Sequence, residues 1–395
     1  LNGYALTILQ DPVEPNLIFV GTEHGLWVSL DNGASFQQWK NGFPSVSTFD
    51  LAIQEREADL VIATFGRAIY VLDDIRPLRK LAASKGVVQK NLTVFAAPEA
   101  IQAQYRNAPG YEYSTWGLWE GENRRRGAAI SFFVNPGKTK DTSSRRGADS
   151  ALVKIYNDKN ELIRNLRWKA DSGFNRGYWN MDERGFRNPG SPRPRAGQEF
   201  GGWEVLPGNY KVVITLGKDA DSTTVTVKDD PRIGNRNDIK LAQRALQLRL
   251  RKSVDKLVEG MDRLTEAEEV LRKIETQYRG VAGKEADSLR KTTKKMQDEI
   301  KAIREYISGK PQTRQGYGQV PQVTVLNQLQ QANGIITAKP VKPGEQEERV
   351  VAHAEGMISE AVKKINAFFN DSWKKYREQA ENTPLKLFKE YKEIE

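Results

Sequence analysis

No cysteine occurs anywhere in these 395 residues. Disulfide scaffolds, thiolate metal sites and cysteine nucleophiles are therefore excluded. Only two histidines are present, His24 and His353, too far apart for a local metal-ligand spacing, so no metal or cofactor is expected. A Ser-His-Asp triad would have to recruit one of them. Long apolar runs are missing as well. The strongest, around Ala128 to Val134, falls far short of the ~20 residues a membrane-spanning helix needs. Leu1-Asn2-Gly3-Tyr4 is neither an initiator Met nor a charged-then-apolar leader, and reads as a chain whose beginning lies elsewhere.

What is present is a modest basic excess: 61 Lys and Arg against 51 Asp and Glu, net +10. At roughly 150 residues per domain the length suggests two or three domains. Residues 1–82 read as short strands separated by turns, with β-rich runs at Ala5 to Gln10, Leu17 to Gly21, Gly25 to Leu30 and Ser35 to Trp39. The pattern recurs 43 residues on, where Leu60-Val61-Ile62-Ala63 answers Leu17-Ile18-Phe19-Val20 and Ile69-Tyr70-Val71 answers Leu26-Trp27-Val28. A period of that size with four strands per unit predicts two β-propeller blades, with Trp27 and Tyr70 at equivalent positions. Radial closure takes at least about four blades, so the missing ones are expected before Leu1 or from a partner.

Residues 83–232 carry about seven further strand candidates, from Leu92 to Val227, and predict one immunoglobulin-like β-sandwich. Residues 233–395 turn to helix formers. Leu257, Met261, Leu264, Ala267, Leu271, Ile274 and Tyr278 form one apolar seam, and Leu289, Thr293, Met296, Ile300, Ile303 and Ile307 a second. Asp238 is the expected cap of the first helix. A last helix from about Glu345 to Ala380 would turn Val350, Ala354, Met357, Ala361, Ile365 and Phe368 inward. An antiparallel α-helical bundle follows. The fold class is thus multidomain β plus α: terminal propeller blades, sandwich and bundle.

Ser29-Leu30-Asp31-Asn32-Gly33-Ala34-Ser35-Phe36 has the form Ser-x-Asp-x-Gly-x-Ser-Phe. The aspartate can accept backbone N–H groups across the turn and Gly33 can take positive φ. A carboxylate so occupied is poorly placed as nucleophile or acid, so Ser29, Asp31, Gly33, Ser35 and Phe36 are read as structural. This motif resembles the Asp-box of bacterial neuraminidase repeats. Four further stretches resemble the C-terminal part of bacterial sortilin-type Asp-box propeller proteins, often labelled glycosyl hydrolase by association. They are Ala63 to Asp74, Glu122 to Ile130, Gly173 to Asn180 with Pro207 to Tyr210, and Lys228 to Arg232. Arg124 and Arg125 depart from the two prolines that relatives often carry there. The resemblance implies an extracytoplasmic protein (periplasm, outer-membrane surface or secreted) and carries over no settled activity.

Trp116 and Trp119, followed by Arg124 and Arg125, could stack on sugars or bases, although packing of a loop over the sandwich is the reading preferred for such aromatics. Basic tracts elsewhere alternate with glutamates, as in Glu266 to Lys273, and no nucleic-acid fold motif accompanies them, so nucleic acid is not an expected partner. Phe369, Trp373, Tyr376 and Phe388 exceed what one helical seam absorbs and are expected at a protein-docking surface. The preferred function is a non-catalytic interaction scaffold of a larger envelope protein, binding other envelope proteins. The alternatives are accessory domains of a hydrolase, such as a glycoside hydrolase, whose active site lies in the missing propeller, and a carbohydrate-binding module. No catalytic constellation is present in the sequence.

Overall fold

A computed structural model describes residues 1–103, 124–135, 150–194, 199–311 and 322–383. The fold is mixed β plus α. It divides into two compact units, Leu1–Gly185 with Pro194–Asn235, and Phe186–Arg193 with Arg236–Glu395. No helix among the described residues is long and apolar enough to cross a membrane.

The first unit opens with an antiparallel sheet of β1 (Ala5–Gln10), β2 (Ile18–Thr22), β3 (Gly25–Ser29) and β4 (Gln37–Gln38), in that order. A second antiparallel sheet follows, of β5 (Thr48–Gln54), β6 (Asp59–Thr64) and β7 (Ile69–Leu72). Leu17, Phe19, Leu26 and Val28 of the first region share one core with Leu51, Leu60 and Ile62 of the second. Gly21 sits at a close approach of the two sheets. A Cβ there would lie 2.6 Å from the Thr48 carbonyl oxygen, so only glycine fits without displacing the backbone.

The two sheets depart from the expected pair of four-stranded units. The residues that stand 43 positions beyond β4, Lys80 and Leu81, lie in a helix, α1 (Arg76–Ala83), and the second sheet has three strands. Pro77 in the first turn starts that helix, because its missing N–H is unneeded there, and Leu78 and Ala82 bury its inner face. A salt bridge of 2.9 Å from Arg79 to the buried Asp11 fixes it against the β1–β2 turn.

Two more sheets complete the first unit. One holds β8 (Leu92–Val94), β10 (Ala128–Val134) and β13 (Gly173–Trp179), in the order β13-β10-β8. The other is ordered β12-β11-β16-β17-β9, from β9 (Ala100–Gln102), β11 (Ser150–Tyr156), β12 (Leu162–Lys169), β16 (Gly208–Leu216) and β17 (Asp219–Asp229). A short hairpin pair, β14 (Asp182–Arg184) and β15 (Gly201–Glu204), stands beside them. Ile130, Phe132 and Val134 of one sheet and Val153, Ile155, Val212, Ile214 and Val225 of the other form a single core, with alternate residues turned in as the pleat requires. Trp168 stacks on Phe132 at 6.3 Å and lies over Gly177, whose absent side chain leaves room for the indole. Strand β9 joins the larger sheet by parallel pairing of Ala100 with Val227.

The second unit is helical: α2 (Asn237–Gln277), α3 (Lys284–Ser308), α4 (Val325–Thr337), α5 (Glu345–Ala367), a π-helical turn Phe368–Trp373, and α6 (Lys374–Asn382). Most of the expected seam positions are buried, Leu257, Met261, Leu264 and Leu271 on α2 with Leu289, Met296, Ile300 and Ile307 on α3, while Ile274 and Ile303 are half-buried. On α5 the buried positions are Val351, Ala354, Ile358, Ala361 and Ile365, so Val350 and Met357 are displaced to the half-buried flank. Asp238 falls inside the first turn of α2 rather than capping it, where its charge favours the N-terminal dipole. The Thr324 hydroxyl caps α4 by accepting from the Asn327 N–H at 3.1 Å, and Glu347 accepts from the Gly344 N–H at 2.9 Å to start α5.

Candidate interaction surface

The turn between β3 and β4 is closed by its own side chains. Asp31 Oδ1 accepts the Ser29 hydroxyl and the Ser35 N–H, each at 2.8 Å, while Oδ2 accepts the Ser35 hydroxyl at 2.6 Å. Ser29 Oγ in turn accepts the Gly33 N–H at 2.8 Å. Asn32 and Gly33 both carry positive φ, 55° and 84°, which swings the backbone donors onto those oxygens. Phe36 and Ile18 flank Gly33 beneath the turn. Both Asp31 oxygens are thus engaged within the turn, and the carboxylate works as a clasp.

Strand register relates the two sheets residue by residue. Trp27 stands opposite Val20, and Tyr70 stands opposite Ile62. The third strands keep the 43-residue offset while the second strands pair one residue out of step with it. The cause is the hairpin loop, two residues (Glu23, His24) in the first sheet and three (Phe65 to Arg67) in the second. In the first sheet Leu9, Phe19 and Val28 run across three strands, and that row is covered by the second sheet. The matching row of the second sheet is Ala52, Val61 and Val71, beside Ala63 and Ile69. Its margins are bare, with Ile69 60% exposed, Val71 55% and Ala52 exposed, while Val61 and Ala63 between them are half-buried. Phe49 and Phe65 stand at its margin with ring centroids 5.7 Å apart, both exposed.

The arginines expected beside a ligand are engaged within the first unit. Arg124 reaches Glu57 and Asp59, each at 3.6 Å, and Arg125 lies over the Tyr178 ring at 4.9 Å. Arg176, which the sequence did not single out, donates to the carbonyl oxygens of Asp73 and Asp74 at 2.8 and 3.0 Å and to Ser131 at 3.1 Å. It thereby links the end of β7 to β10 and β13. Trp116 and Trp119 lie outside the described residues. The Arg164–Asp182 ion pair, 3.3 Å and buried, is joined by Glu199, whose carboxylate accepts from both nitrogens of Asn165. Burial pushes the Asp182 carboxyl above the ordinary aspartate range despite Arg164.

The aromatic residues of the last helices are used inside the helical unit. Phe368 and Tyr376 are buried, and Phe369 and Trp373 are half-buried against the same core. Tyr376, expected at a partner surface, instead makes a hydroxyl contact of 2.9 Å with Thr293. The π-helical turn accounts for this: its wider winding carries the rings round toward α3. Phe388 lies outside the described residues. The residues that sequence reasoning left unassigned are Ile69 and Val71, although their place in the repeat was visible.

The sequence matches no family profile and no curated protein. A solved structure called pT26-6p aligns at 12% identity over 65% of this chain and 46% of its own, with a TM-score of 0.09. That similarity is too slight to support a fold comparison.

Proposed function

We propose that the chain is a non-catalytic interaction scaffold of a larger protein outside the cytoplasm, binding other envelope proteins. In this reading β1–β4 and β5–β7 are blades of an Asp-box propeller, followed by an immunoglobulin-like sandwich and a helical bundle. The row Ala52, Val61, Ala63, Ile69 and Val71, exposed at Ala52, Ile69 and Val71, carries it. The equivalent row of the first sheet is buried under a neighbouring sheet, so a second apolar face of the same build calls for a cover of its own, from a further blade or from a partner. The occupied carboxylate of Asp31 supports a structural part for the Asp-box.

The test places a photo-crosslinking amino acid at Ile69 in the native host, with Lys294 on α3 as the comparison position. A defined adduct at Ile69, found in the extracytoplasmic fraction and lost with Val61→Lys, is the expected result. Equal labelling at both positions, or adducts indifferent to Val61→Lys, overturns the reading.

A further inference from the structure

Asparagine followed by glycine occurs four times, at Asn2-Gly3, Asn32-Gly33, Asn41-Gly42 and Asn333-Gly334. Glycine has no Cβ to crowd its own backbone nitrogen, so that nitrogen can approach the side-chain carbonyl carbon of the asparagine before it. The fold separates the four pairs by what holds the glycine N–H. Gly33 donates to Ser29 Oγ at 2.8 Å and Asn32 N–H to the Asn16 carbonyl at 3.0 Å, so that pair is pinned inside the Asp31 clasp. Gly334 lies within α4, where the helical ladder engages its N–H. Asn41-Gly42 differs. Both residues are exposed in the connection from β4 to β5, and Gly42 takes φ 69°. Neither the Asn41 side chain nor the Gly42 N–H has a hydrogen-bond partner among the described residues, and no other atom crowds the space a Cβ on Gly42 would fill. The flanks are held. The Asn41 carbonyl accepts the Trp39 indole N–H at 3.0 Å, and Phe43 is buried in the core that the two sheets share. Asn2-Gly3, ahead of β1, is likewise exposed and without hydrogen bonds, and provides the unrestrained reference.

We infer that Asn41 is a site of spontaneous covalent modification, at which water converts the side-chain amide to a carboxylate and reroutes the main chain between the two sheets. Gly42 N gives up its proton to hydroxide and attacks Asn41 Cγ. The bond from Cγ to Nδ2 breaks and ammonia leaves, closing a succinimide ring. Water then opens the ring on one side or the other. Cleavage between Cγ and Gly42 N yields aspartate. Cleavage between the main-chain carbonyl carbon of residue 41 and Gly42 N yields isoaspartate. In sum, one amide and one water become one carboxylate and one ammonium ion, and nothing is oxidised or reduced. Either product sets a negative charge beside Trp39. Isoaspartate also adds a methylene to the main-chain path and turns the carbonyl that held the Trp39 indole into a free carboxylate, loosening the join between β4 and β5.

The experiment incubates the full chain in mildly alkaline water enriched in heavy oxygen, followed by peptide mapping with fragmentation that separates aspartate from isoaspartate. Asn41 and Asn2 should take up label about tenfold faster than Asn32 and Asn333, the protection that one hydrogen bond or a required local opening confers. In strong denaturant the four should react at similar rates, which assigns the difference to the fold. Labelling of Asn41 no faster than of Asn333 in the folded chain, or the same spread persisting in denaturant, overturns the inference. Ser29→Ala frees the Gly33 N–H while both Asp31 oxygens keep their bonds to Ser35, so Asn32 should approach the Asn41 rate. No gain at Asn32 overturns the part given to the Ser29 bond. The aged chain, separated by its added charge, should melt below Asn41→Asp, which carries that charge on an unaltered main chain. Equal melting overturns the loosening of the join.

Discussion

Asp31 and Asp74 stand 43 residues apart, and each clasps the chain where it leaves the third strand of its sheet. Asp31 does so through Ser29 and Ser35. Asp74, buried and at φ 51°, accepts from Arg76 Nε at 2.6 Å while its own N–H donates to Asp59 at 2.8 Å. The partners differ because the chains diverge there: one proceeds to a strand, the other to a helix that supplies an arginine.

Replacing Asp31 with Ala should lower stability by about 1–2 kcal/mol, the scale of a lost helix cap, since it frees one N–H and two hydroxyl groups at once. Denaturant unfolding measures it. Crosslinking at Ile69 should persist in the folded fraction.

Gly21→Ala should cost about 1–3 kcal/mol, because the new methyl group has only the Thr48 backbone and the Thr7 and Thr48 methyl groups to displace. Thermal melting gives the magnitude. Gly356→Ala, at ordinary φ and in open space, is the control that carries neither collision nor backbone strain.

Asp262 should make the fold acid-sensitive. Burial raises its pKa, yet hydrogen bonds from Arg187 and Arg193 outweigh that, and the carboxyl titrates below the ordinary range. A depressed folded-state pKa means the stabilisation is complete above the unfolded value of about 4, and fades as pH falls through the folded one. Urea midpoints of wild type and Asp262→Asn, compared from neutral pH downward, should therefore converge in acid. A constant gap would show that Asp262 acts through shape alone.

Tyr376→Phe should cost about 1 kcal/mol, the usual worth of one buried hydrogen bond. Thr293 already donates to the Leu289 carbonyl at 2.8 Å, so the lost partner leaves no orphan donor. Burial holds the Tyr376 phenol above its ordinary pKa, so this tyrosine should lag in an alkaline absorbance titration, and the lag should vanish from the variant's curve.

Local patterns were the legible part of this protein. The seams of α2 and α3 are visible because burial follows the helical period over many turns, and the Asp31 clasp is visible because its partners lie within eight residues. Strand β9 is three residues long and holds its place through Val227, far along the chain, so no window of sequence reveals it. Helix α1 was masked by the repeat itself, which predicts a strand where Pro77 starts a helix. The exposed row on β5–β7 has no signature at all, since Val28 and Val71 are the same residue type at the same place in the repeat, yet one is buried and the other exposed.

The wide turn at Phe368–Trp373 makes rotation a function of length. A π-helical winding holds a surplus residue that an α-helix of the same rise would not. Deleting the exposed Asn370 would let the winding tighten to the regular form and turn everything as far as Asn382 about the helix axis, with little change in the path of that axis. Tyr376 would leave Thr293, and Lys374 and Lys375 would sweep to a different bearing. A single codon there acts as a gear: it sets the angle at which the last turns of helix meet their neighbours, independently of what those turns are made of.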